Sequence, residues 1–187
     1  MPRTFLLILL VLVGVSVACG GGGGSPSSDA IISTVGPQPI VALPTAEPAP
    51  KTSTGEAPPT TGSWIDVDVA RFRVRLMDGT RVIETIEPVA VGEQVDTGVY
   101  ESTQTGLFHV YVKTQALTYD APYNTYISDW VGFDPDKANG FHSFLKDASG
   151  KVVNPGTGRI SNGCIRTSAS ERIFAFAQIG MAVYVHS

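Results

Sequence analysis

Every aromatic side chain except Phe5 lies at or beyond Trp64, and this asymmetry decides where a core can form. Aromatic residues supply the largest blocks of apolar area that a small domain buries, so the folded unit is expected within residues 63–187. Its 125 residues are close to the commonest domain size and long enough to enclose a core without disulfides or metal. A second large domain is excluded. The formal charge is −4, and the chain has no basic run beyond the alternation Arg71, Arg73, Arg75. The electrostatic footprint that grips phosphate backbones is therefore missing, and nucleic acid is not expected as a partner.

Residues 1–18 combine one cation, Arg3, with an apolar run from Phe5 to Val13 and small residues ending at Ala18, the pattern of a secretory signal. The 14 residues from Phe5 to Ala18 fall short of the roughly 20 that a helix needs to span a bilayer. Ser16-Val17-Ala18-Cys19 resembles a bacterial lipoprotein signal. That resemblance implies that Cys19 is lipidated and anchors the mature chain outside the cytoplasmic membrane. Simple secretion is the alternative, because Ser16 stands where the pattern prefers an aliphatic residue. Residues 19–62 then form a tether. Gly20 to Gly62 holds eight Pro and eight Gly among 43 residues, so it is expected to be disordered, spanning on the order of 35 Å as a flexible coil.

From Ser63 onward the hydrophobic period is two. Ile65, Val67 and Val69 alternate with polar neighbours, as do Phe72, Val74 and Leu76, which predicts half-buried strands followed by a hairpin turn at Asp78-Gly79. Arg81 to Val91 reads as a returning strand with an irregularity at Pro88, and Tyr100 to Thr105 and Leu107 to Lys113 as a further pair. Tyr119 to Gly140, interrupted by Pro and Gly, is expected to form loop and short strands over a site. Near the end the period lengthens. Ser168-Ala169-Ser170-Glu171 matches a capping box, which predicts a helix from about Ala169 to Gln178 closed by Gly180, with a last strand over Met181 to Val185. The fold expected is mainly β, a sandwich or partly closed barrel with one C-terminal helix, preceded by a disordered linker.

The domain has one thiol, Cys164, within Arg159-Ile160-Ser161-Asn162-Gly163-Cys164-Ile165-Arg166. Polar neighbours suit a nucleophile better than an inert core cysteine, and Gly163 leaves room for substrate to approach the backbone. With Cys19 assigned to processing, no internal disulfide is expected. Of the three histidines, His142 fits a general base, lying in a loop-rich context after Asn139-Gly140-Phe141 and before Ser143. His109 falls in a strand pattern and His186 one residue from the end, so both read as surface or sheet-packing residues. A metal site of Cys164 with two histidines lacks any paired ligand motif, and no cofactor is expected.

Phe141-His142, an interval, and Ser161-Asn162-Gly163-Cys164-Ile165-Arg166 together resemble the L,D-transpeptidase family, or YkuD domain. Ile65-Asp66-Val67-Asp68 and Gly180-Met181-Ala182-Val183-Tyr184-Val185 look like its opening and closing strands. The chain departs from the family at Asn162, where histidine is usual, and in the 18 residues between His142 and Ser161, slightly more than usual. The resemblance implies that Cys164 attacks the bond between an L-centre and D-alanine in a peptidoglycan stem tetrapeptide, giving a thioester that an amine of a second stem intercepts. It also implies that His142 carries the proton, held by the Ser143 carbonyl, and that Gly163 and Cys164 N–H groups form the oxyanion hole, with Ser161 and Asn162 supporting the site. Arg166 reads equally as a carboxylate anchor or as a structural ion pair, while Tyr126 and Trp130 are candidate walls of the donor groove. The partners expected are stem peptides and, through Cys19, the membrane, and a monomer is expected. Two other outcomes stay open: a binding module impaired at Asn162, and a carboxypeptidase that gives the acyl group to water.

Overall fold

The structure, a computed structural model, describes residues 57–99 and 101–187. The signal segment, Cys19, most of the tether and Tyr100 lie outside the described residues.

The domain begins as a meander of β1 (Ser63–Asp68), β2 (Arg73–Asp78) and β3 (Arg81–Ile86), followed by β4 (Ala90–Gly92). After a long connection come β5 (Gly106–His109), β6 (Val112–Thr114), β7 (Thr118–Asp120), a 3-10 turn (Ala121–Tyr123) and β8 (Thr125–Ile127). The chain continues through β9 (Trp130–Asp134), β10 (Asn139–Ser143), β11 (Leu145–Lys146), β12 (Val152–Asn154), β13 (Gly158–Ser161) and β14 (Ile165–Thr167). The helix α1 (Ser170–Phe176) and β15 (Ala182–His186) complete the fold.

Three open sheets result, in strand orders β3-β2-β1-β15-β5, β13-β4-β14-β10-β9-β6 and β12-β11-β8-β7. The first two share one core. Ile65, Val67, Val74 and Val183 from the first sheet meet Val91, Val131, Phe141 and Ile165 from the second, and Ile173 of the helix joins them. Phe108 of β5 packs edge-on to Phe133 of β9, with centroids 5.5 Å apart. Each such fully buried aliphatic or aromatic side chain contributes roughly 1.5–3 kcal/mol. The third sheet encloses a smaller core, in which Ile127 and Leu145 pack with Val112, Trp130 and one flank of Cys164.

Several local expectations change. β1 is buried on both faces, because Asp66 and Asp68 do not face water. Asp68 binds Arg71 and Arg73 at 2.8 and 3.0 Å, and Asp66 binds Arg75 and His186 at 2.9 and 3.2 Å. The expected strand from Arg81 to Val91 is broken around Pro88, and its halves join different sheets as β3 and β4. Between residues 101 and 105 there is only a bridge from Ser102 to Glu93. Trp130 to Asp134 and Asn139 to Ser143 are strands of the central sheet, so His142 stands in a strand and not in a loop. The helix is shorter than expected and has no capping box. Its N-cap, Ala169, offers no side chain, the Ser170 hydroxyl donates to Asp129 instead, and the chain leaves at Ala177 before reaching Gly180. The Lys113 ammonium donates to the Ala177 carbonyl at 2.6 Å, which satisfies one of the carbonyls a helix end leaves open.

Candidate active site

β10 and β14 run parallel, with Phe141 opposite Ile165 and His142 opposite Arg166. Since side chains alternate across a strand, Phe141 and Ile165 enter the core while His142 and Arg166 take the opposite face, and Cys164, one residue before β14, comes out on that face too. All three line one cavity of about 440 Å³. Its far wall is β7 and the 3-10 turn, which contribute Tyr119, Asp120 and Tyr123. Trp130 closes the floor and lies 6.0 Å from the His142 ring, centroid to centroid.

Cys164 and His142 are both neutral at rest. Burial pushes the Cys164 thiol up to about 11, with nearby Asp120 adding to the shift and a backbone hydrogen bond from Gly140 and the Arg166 charge opposing it. Burial likewise takes His142 down to about 4, against the support of the Ser143 backbone bond. The Ser143 carbonyl lies 2.7 Å from His142 Nδ1. Accepting a hydrogen bond from Nδ1–H leaves Nε2 as the ring's basic atom. No hydrogen bond joins Cys164 to His142. The thiol instead donates to Asn139 Oδ1, 3.6 Å away. Arg166 is almost wholly buried and makes no ion pair among the described residues; one of its Nη atoms donates to the Ile160 carbonyl, and its Nε has no partner.

A set of buried polar contacts holds these groups. The Thr103 hydroxyl donates to the Gly163 carbonyl and accepts from Gly92 N–H, both at 2.8 Å, so the turn before Cys164 is tied to β4. Ser161 donates to the Cys164 carbonyl. Asn162 Oδ1 accepts from the Glu101 N–H at 2.5 Å. Asn162 is therefore a strut joining the turn before Cys164 to the connection at Glu101. Gly163 has φ of +93°, and a Cβ there would stand 2.5 Å from the Asn139 amide, so only glycine fits. Behind His142, Ser143 and Ser128 exchange bonds at 3.0 Å. The Asp129 carboxylate, in turn, accepts from the hydroxyls of Ser128 and Ser170 at 2.9 and 2.8 Å.

Cys164, His142, Arg166, Trp130, Ser161 and Asn162 thus converge on one cavity, with Gly163 beside it and Ser143 behind the imidazole. Tyr126 does not reach it. Its ring packs on Tyr119, 5.2 Å away, and Tyr119 and Tyr123 form the aromatic wall. His109 pairs with Ala182 at a sheet edge, and His186 binds Asp66. Sequence reasoning missed Asn139, Thr103, Asp120 and the Ser128–Asp129–Ser170 group. Asn139-Gly140 directly before the aromatic-histidine pair was the one visible signal. Among the described residues, no cluster of three or more His, Cys, Asp or Glu side chains is arranged to hold a metal ion.

Solved structures share this fold. An L,D-transpeptidase from Stackebrandtia nassauensis aligns at TM-score 0.51 and 20% identity, over 79% of this chain and 61% of that one. An Enterococcus faecium L,D-transpeptidase, crystallised as a mutant, aligns at 0.51 and 20%, over 67% and 50%. One from Mycobacterium smegmatis aligns at 0.51 and 14%, over 67% and 58%. The chain therefore spans about half to three fifths of the length of these proteins. No curated protein matches it. The model of the L,D-transpeptidase catalytic domain, YkuD, matches residues 62–185. With about two thirds of its length matched, and with a half-buried cysteine, a buried histidine and a buried arginine gathered on one face of that fold, the chain belongs to the YkuD family of L,D-transpeptidase catalytic domains.

Proposed function

We propose that this protein is a cysteine acyltransferase acting on peptidoglycan stem tetrapeptides. The observation that carries the reading is the placement of Cys164, His142 and Arg166 on one face of two adjacent parallel strands, lining a single cavity. When the donor binds, His142 Nε2 removes the thiol proton as Sγ attacks the carbonyl between the L-centre and D-alanine. The Sγ–C bond forms, the carbonyl π pair moves to oxygen, and Gly163 and Cys164 N–H groups receive that oxyanion. Collapse breaks the C–N bond, and His142 returns the proton to the departing amine of D-alanine. An amine from a second stem then takes the acyl group from sulfur. This conserves the energy of one amide bond in another, as suits a place without ATP.

Arg166, buried and without a carboxylate partner among the described residues, is suited to hold a substrate carboxylate. A lipid at Cys19 would keep the enzyme, as a monomer, at the outer face of the cytoplasmic membrane. The test is intact-mass spectrometry of the full chain with a stem tetrapeptide and, separately, with a carbapenem. An adduct on the parent and none on Cys164→Ala is the expected result. A folded parent that binds tetrapeptide but gains no adduct from either reagent would make it a binding module. An adduct that yields only hydrolysed tripeptide in the presence of acceptor would make it a carboxypeptidase.

A further inference from the structure

Asn139 accepts the hydrogen bond of the Cys164 thiol, yet it belongs on the wrong face. It has the same parity as Phe141, and regular alternation would send its side chain into the core. Between Asn139 and Gly140 the pairing with β9 slips by one residue, and Ala138 just before has φ of +52°. Bulges of this kind redirect a side chain, and here Asn139 lines the cavity. It is 1% exposed. Its Oδ1 takes the thiol's hydrogen bond at 3.6 Å, while its Nδ2 is buried with no hydrogen-bond partner among the described residues. An orphaned buried N–H is costly, and its persistence next to a nucleophile calls for a use.

The two amide atoms also share an unusual space. A Cβ on residue 163 would lie 2.5 Å from Nδ2 and 2.6 Å from Oδ1, so the amide plane lies against bare glycine backbone. Rotation by half a turn about the last side-chain torsion exchanges the two atoms, breaks no bond made by Nδ2, and brings an N–H to the sulfur.

We propose that Asn139 is a further catalytic residue that serves both protonation states of Cys164: its oxygen accepts from the thiol, and after a half-turn its Nδ2–H donates to the thiolate. Asn139 itself neither gains nor loses a proton; the proton goes from Sγ to His142 Nε2, and the electron pair left on sulfur is met by the amide. This rests on Cys164 being the nucleophile.

The sign of one shift tests it. Asn139→Leu keeps the side chain's approximate size, and Asn139→Ala gives a second variant should leucine fail to fold; thermal melting checks both. Cys164 alkylation by iodoacetamide is followed against pH in the full chain. Asp120, Asp134, Arg166 and His142 bear on the thiol or share its cavity, as do Tyr111 and Tyr123 from the flanking segments, and none of them is altered. If Asn139 donates to the thiolate, its loss moves the alkylation midpoint up by about one pH unit and slows acylation by a carbapenem about 10²-fold. If Asn139 only accepts from the thiol, its loss moves the midpoint down, and that result, or an unchanged midpoint, overturns the proposal. A parent that is alkylated but never acylated would overturn the acyltransferase reading while leaving the sign of the midpoint shift to decide the role of Asn139.

Discussion

A thiol held near 11 and an imidazole held near 4 do not exchange a proton at rest, so on the proposed mechanism the nucleophile is generated during the encounter with substrate, from a form in which both groups are neutral. Acylation should therefore be flat with pH across the neutral range and fall only near 4 and near 11, one limb for each group. Measured acylation rates from pH 4 to 11 check this; a single rise centred near 8.5, the value of a free thiol, would contradict it. At the same scale, Gly163→Ala should abolish acylation and lower stability, since it forces an L side chain to φ +93° and onto the Asn139 amide. The cost should exceed about 2 kcal/mol, read from denaturant melts. Cys164, His142 and Gly163 were legible in the sequence because their chemistry is local and rare in this chain. Asn139 was not, since nothing in the order of residues announces that a bulge turns it round.

Elements were legible to the degree that one face is apolar and the other wet. The alternation from Ile65 to Leu76 gave the first hairpin, but the rule failed for Asp66 and Asp68, where arginines of the same hairpin cover the polar face. It also failed at Pro88, because alternation says nothing about which sheet a strand will join. The helix start was misread because Ser168, the expected N-cap, stands one residue too early: the helix starts at Ser170 and the cap position falls on Ala169, which has no hydrogen-bonding side chain. Residues 101–105, within the strand expected from Tyr100 to Thr105, work instead as a strap, with Thr103 and the Glu101 N–H tying them to the turn before Cys164. Thr103→Val keeps the shape and removes both hydroxyl bonds. It should destabilise the domain by about 1–3 kcal/mol and slow acylation even in the fully folded protein, a pair of effects separable by thermal melting and mass spectrometry.

For the molecule as a whole, the same buried groups set the pH range of stability. His142 has a folded value near 4 against an ordinary 6.5, so the unfolded chain binds the extra proton and stability falls as pH drops from 6.5 toward 4, by about 3 kcal/mol in all. Cys164, raised to about 11 from 9.0, gives the mirror loss: the unfolded thiol ionises first, and stability declines as pH climbs from 9 toward 11. Burial raises Asp68, but its bonds to Arg71 more than offset that and leave it below 3.8, so its contribution persists until pH falls under that value. Chemical melts of the parent should give a plateau between the two limbs, and His142→Asn should lose the slope between 4 and 6.5 while keeping the alkaline one. The order of strands in the first sheet has a separate consequence. β15 lies between β1 and β5, parallel to one and antiparallel to the other, so the earliest and latest segments of the domain are direct neighbours. A chain still emerging from the ribosome therefore has a gap in the middle of its sheet. The strand β5 has no native neighbour in that sheet until β15 is made, and a stop codon before residue 182 would cut β5 off from the β1–β3 meander.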